Sequence, residues 1–175
     1  MSKTASQANE LYFITMTIVD WIDLFTRPVY FDLIIQNFQY CQQNKGLEIY
    51  EYVIMTNHIH IICKGKDVPL SDILRDFKSF TSKELIKLIS NNPLESRKKW
   101  LLKMFKWHGE NNVLNKNYQV WQNFNSPTLL YNNVIIDQKV DYIRMNPVKA
   151  GFVLRPEDYV YCSSNPDSPL KVLEL

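Results

Sequence analysis

The sequence predicts an α+β sandwich, in which a central antiparallel sheet carries helices on one face. Three observations lead there. Apolar, β-branched stretches at 11–19, 47–55 and 58–64 read as strands, and only Thr56-Asn57 separates the last two, so they form a hairpin. Segments with a 3.6-residue apolar period lie between and after them. The resulting order is strand, helix, strand, strand, helix, with a further strand later in the chain.

The first strand, LYFITMTIV, is broken off by Arg27-Pro28. Phe31, Ile34, Ile35, Phe38 and Cys41 then recur at helical spacing over 29–44, and Gly46 closes that helix. After the hairpin, Gly65 and Pro69 mark a loop. Residues 71–90 form the clearest amphipathic helix, with Ile73, Leu74, Phe77, Phe80, Leu85, Leu88 and Ile89 as its apolar stripe. A basic helix is expected over 96–107, a polar loop over 109–117 and a short strand at 118–122. A helix over 132–146 should stop at Asn146, because Pro147 disfavours helical geometry in the residue before it.

With 175 residues, 46% of them hydrophobic, the chain has the size and composition of one ordinary globular domain. No apolar run approaches the roughly 20 residues of a membrane span, and MSKTASQANE has no hydrophobic core of a secretory signal. Residues 1–10 are expected to be a flexible tail, 11–164 the domain and 165–175 a second tail. Cys41, Cys63 and Cys162 are odd in number and form no CxxC pair, which argues against a disulfide framework and fits buried thiols in a reducing cytoplasm.

The charge distribution is uneven. Residues 64–106 carry 11 basic against 5 acidic side chains, a net of +6, whereas 1–63 carry 3 against 6. The basic third also holds Phe77, Phe80, Trp100, Phe105 and Trp107. Lysines with interleaved aromatics suit a nucleic-acid surface, and equally a solvated helix face. Lys78, Lys83, Lys87, Lys98, Lys99, Lys103 and Lys106 are the candidates for phosphate contact. Trp121 and Gln122 are candidates for base contact, although Trp121 reads first as a core residue.

Two features carry chemistry. His58-Ile59-His60 places two imidazoles on one face of a strand, where they can bind one divalent metal or simply hydrogen-bond as structural histidines. Tyr142 and Asn146, at i and i+4, share one helix face, so a phenol and an amide oxygen stand one turn apart. Spacing alone does not separate that pair from a core tyrosine and a helix-ending asparagine.

MTNHIHIIC (55–63), VWQ (120–122), KVDYIRMNPVKAGFV (139–153) and PEDYVYCSS (156–164) resemble, in order, the motifs of REP-associated tyrosine transposases and related single-tyrosine insertion-sequence transposases, members of the HUH endonucleases. The resemblance runs from about Leu11 to Ser164. It implies a ferredoxin-like fold with the histidine strand central. It also implies His58, His60 and Asn146 as ligands of Mg²⁺ or Mn²⁺, and Tyr142 as a nucleophile that forms a 5′-phosphotyrosine. The implied substrate is single-stranded DNA with a hairpin, and some relatives act as homodimers. The chain departs from the family at Thr56, usually Pro, and at Ser126 and Arg144, where relatives often carry His. His108 matches no family position and reads as a surface residue. Alternative readings are a non-catalytic DNA-hairpin-binding protein, a metal-dependent phosphoester hydrolase, and a replication-initiation or relaxase-type protein.

Overall fold

A computed structural model describes residues 7–114, 117–125 and 127–175. Among them, strand β1 (Tyr12–Thr17) leads through a 3-10 turn at Val19–Trp21 to helix α1 (Pro28–Asn44). The hairpin β2 (Leu47–Ile54) and β3 (His58–Gly65) follows, then α2 (Leu70–Asn91), α3 (Lys98–Glu110), β4 (Thr128–Leu129) and α4 (Asn133–Lys149). The sheet is antiparallel with strand order β2-β3-β1-β4, the ferredoxin-like arrangement, so β3 and β1 are central.

Local chemistry accounts for these boundaries. Pro28 opens α1, where its fixed φ and missing N–H are no handicap. Gly46, at φ +70°, turns the chain into β2; a Cβ there would stand 2.8 Å from the Lys66 carbonyl oxygen. Asn132 caps α4 by accepting from the Ile135 amide.

Helices cover both faces of the sheet, not one. Ile14 and Met16 of β1 and Ile59 and Ile61 of β3 face α1, α2 and α3, packing with Phe38, Phe77 and Phe105. Phe13, Val53 and Ile62 point the other way and pack against Ile143 of α4. The strands therefore read as continuous apolar runs because both of their faces are buried.

Other expectations also change. Residues 118–122 do not form a strand: Trp121 makes an isolated bridge to Ile18, and the fourth strand is Thr128–Leu129. Trp121 is core, its indole N–H donating to Thr81 at 3.0 Å. Phe80, placed in the apolar stripe of α2, is exposed, and Thr81 is buried there instead. Helix α4 runs through Pro147 to Lys149: the proline takes one amide donor out of the ladder, at the Ile143 carbonyl, and the ladder resumes beyond it, with the Ala150 amide bonded to Asn146.

At the N-terminal end, residues 1–6 lie outside the described part, while the Asn9 amide bonds to Gly65. The segment 165–175 is irregular yet packed, with Leu170 buried and the Leu173 amide bonded to Ile49. All three cysteines are buried free thiols. Among the described residues no helix is long and apolar enough to cross a membrane.

Candidate active site

Because side chains alternate along β3, His58, His60 and Ile62 share the face that α4 covers. α4 crosses this face with Ile143 buried as its anchor, and Tyr142 is carried over the histidines. The Tyr142 and His60 rings meet edge to face with centroids 5.0 Å apart, and the two histidine rings are 4.6 Å apart. Phe13, 5.3 Å from His60 and 5.9 Å from Tyr142, forms the floor between them. Tyr142 is 42% exposed, so its phenol is reachable from solvent. One turn further along α4, Asn146 borders the same cleft as His58.

Each imidazole is oriented through Nδ1. The Asn57 amide nitrogen donates to Asp23 Oδ1 at 2.9 Å, which leaves its carbonyl oxygen to accept from His58 Nδ1 at 2.7 Å. His58 therefore carries its proton on Nδ1 and keeps the Nε2 lone pair. Thr56, where the family usually has Pro, adds a hydroxyl bond to the same Asp23 oxygen at 2.6 Å. His60 Nδ1 lies 2.9 Å from the Thr15 hydroxyl. Burial holds His58 below the usual imidazole range. Burial, reinforced by His58 and Lys139, pushes His60 down to about 3. Both rings are thus neutral at physiological pH, as a metal ligand must be. Among the described residues no cluster of three His, Cys, Asp or Glu side chains could hold a metal. A cation at the histidine pair would need a third donor of another kind, and Asn146 is a cleft neighbour of His58.

Two cations flank the phenol. Lys139 Nζ lies 4.5 Å from the Phe13 ring centroid and 5.6 Å from that of Tyr142, and Lys149 Nζ is 5.9 Å from the latter. Neither stands out in the sequence, where the dense lysines at 64–106 draw attention instead. Their signal is their spacing from Tyr142, three residues before it and seven after, which puts both on its helix face.

The seven lysines chosen from charge density lie on α2 and α3, the layer across the sheet from the histidines. Lys78 is not available to DNA. Its ammonium donates to the Gln122 carbonyl and Asn125 Oδ1, each at 2.7 Å, and burial lowers its pKa to about 8. Lys87 pairs with Glu84 and Lys106 with Glu110 on the surface. Lys83, Lys99 and Lys103 are exposed and Lys98 half-buried. Gln122 is tied through its backbone to Thr17. His108 is a partly buried anchor, with Nε2 2.6 Å from Asp20 Oδ2. Ser126 lies outside the described residues. Arg144 reaches back to the buried Glu51 of β2, whose other oxygen accepts from the Ser163 hydroxyl.

The family profile described as Transposase IS200 like matches residues 22–118, more than half of the chain. The protein belongs to the IS200-like transposases. That matched span contains His58 and His60 but ends before Tyr142 and Asn146. The REP-associated tyrosine transposase bound to a REP hairpin has the same fold, with a TM-score of 0.65 at 18% identity over 93% of this chain and 81% of that one. A protein of Deinococcus radiodurans R1 described as a transposase gives a TM-score of 0.49 at 15% identity, over 82% of this chain and 95% of that one. No curated protein matches the sequence.

Proposed function

We propose that this IS200-like transposase is a metal-dependent single-stranded DNA endonuclease and strand transferase in which Tyr142 is the nucleophile. The convergence of a solvent-reachable phenol on a pair of neutral imidazoles carries this reading. The REP hairpin held by the transposase of similar fold supports a hairpin-bearing strand as the substrate.

The donor set suits a divalent ion: two imidazole Nε2 atoms and the Asn146 amide oxygen are a mixed set for Mg²⁺ or Mn²⁺, with positions left open for phosphate. When bound, the ion supplies charge neutralisation at the non-bridging phosphate oxygens. Thr15 and Asn57 hold the two rings in one orientation. Lys139 and Lys149 offer positive charge on the open side of the phenol, where a phosphate would approach.

In the reaction, the Tyr142 oxygen loses its proton to solvent water and forms a bond to phosphorus. The bond from phosphorus to the 3′ oxygen breaks, and that oxygen takes up a proton as a free 3′-OH. The phosphotyrosine conserves the ester energy, so a second 3′-OH can attack it, release Tyr142 and join two strands.

The test uses a hairpin-bearing single-stranded oligonucleotide labelled at either end. With Mg²⁺ or Mn²⁺, the label 3′ to the cut should remain on the protein in denaturing gels, and EDTA should remove the signal. Release of both fragments as free products would indicate a hydrolase. Binding without cleavage would indicate a DNA-hairpin-binding protein.

A further inference from the structure

Beside the site lies a cleft of about 490 Å³ bordered by His58 and Asn146. Two exposed rings line it, Trp21 at 57% and Phe152 at 50%, together with the buried Met55. Exposed large rings facing one cleft are uncommon on a surface unless something packs against them.

Backbone geometry sets where both residues sit. Asp20 and Trp21 each adopt φ +54°, a left-handed conformation that non-glycine residues rarely take, and two in succession carry strain of the kind found at binding sites. The contact of His108 with Asp20 and the Trp21 amide bond to Ile18 hold this turn, and the indole lies 5.5 Å from the His58 ring. On the same cleft, Gly151 at φ +78° follows α4, and the Phe152 amide bonds to Pro147.

The rim also carries Asp23. A phosphate placed there would meet a carboxylate and be repelled. A base edge with N–H donors would be accepted, since a carboxylate has about four acceptor positions and Asp23 Oδ1 accepts from Thr56 and Asn57.

We propose that the cleft lined by Trp21 and Phe152 receives one unstacked base of the DNA strand next to the phosphate attacked by Tyr142. Asp23 favours a base with an exocyclic amino group over thymine. The location next to the scissile phosphate rests on the reading of the site given above.

The test is fluorescence anisotropy with labelled ten-nucleotide oligo-dA, oligo-dC and oligo-dT, using Tyr142→Phe protein so that no adduct forms. Oligo-dA and oligo-dC should bind more tightly than oligo-dT. Trp21→Ala and Phe152→Ala should each weaken oligo-dA and oligo-dC by about tenfold, the worth of one lost base stack, and Trp21→Phe should keep most of the affinity. Asp23→Asn should narrow the gap between oligo-dC and oligo-dT. Unchanged affinity in both alanine variants, with unchanged melting temperature, overturns the base pocket, and equal binding of the three oligonucleotides by the parent overturns the role of Asp23. Adduct formation by protein with Tyr142 intact is read separately. Adducts together with unaffected binding in the alanine variants sink only this inference, whereas the binding pattern without adducts sinks only the nuclease.

Discussion

The Tyr142 ring stands at 69° to the His60 imidazole with centroids 5.0 Å apart, joining a helix residue late in the chain to the central strand of the sheet. This contact is made by the ring and not by the hydroxyl. Replacing Tyr142 with phenylalanine should therefore leave stability within about 0.5 kcal/mol of the parent, measured by thermal or urea unfolding.

Lys139 and Lys149 flank the same phenol. Lys139→Met and Lys149→Met should each slow adduct formation by about ten- to a hundredfold, at or below the lower end of the losses seen when a preorganised electrostatic partner is removed. The arginine variants should recover most of that rate. Single-turnover rates at saturating oligonucleotide distinguish this effect from weaker binding.

Arg144 and Glu51 tie α4 to β2. Glu51 is buried, while the Arg144 side chain is 46% exposed, so only one partner has lost its water. Arg144→Ala would leave that carboxylate without its cation and should cost about 2 kcal/mol, less than a fully buried pair. Arg144→Ala with Glu51→Gln should recover part of the loss. A double-mutant cycle of unfolding free energies measures the coupling.

His60 makes stability depend on pH in a definite direction. Its folded-state pKa is depressed to about 3, so the unfolded chain takes up a proton that the folded one refuses. Stability from this group is complete above the unfolded pKa of about 6.5 and declines as pH falls towards 3, by about 2 kcal/mol at pH 5. Glu95 acts in a lower window. Burial opposes its ionisation, but hydrogen bonds from Arg97 and Tyr30 outweigh that and bring it to about 2, so its contribution is lost below about pH 4.5. His60→Gln should lessen the fall in unfolding free energy between pH 6.5 and 4.5 in metal-free protein, where His58 keeps its own share of the slope, and leave the fall below pH 4.5 unchanged.

Much of the fold was legible because Phe31, Ile34 and Phe38, or Ile73, Phe77 and Ile89, keep helical periods that packing then uses. The second helical layer was not, because runs such as LYFITMTIV look alike whether one face is covered or two, and α4 anchors itself through a narrow stripe ending in Ile143. Trp121 shows another limit: VWQ has strand-like residues, but a buried indole bonded to Thr81 holds it beyond the sheet.

The histidine pair and the i, i+4 spacing of Tyr142 and Asn146 could be read directly, whereas their approach to one another depends on how α4 crosses the sheet. Charge density drew attention to α2 and α3, yet Lys78 is spent on Gln122 and Asn125, and the cations beside the phenol are Lys139 and Lys149. Local density counts charges but does not say which side of a sheet they occupy.

The most direct measurement compares parent and Tyr142→Phe protein, each incubated with Mg²⁺ and a hairpin-bearing single-stranded oligonucleotide, followed by denaturing gel electrophoresis. The parent should carry DNA covalently and the variant, equally folded, should carry none. An adduct of undiminished yield on the Tyr142→Phe protein would contradict the assignment of the nucleophile.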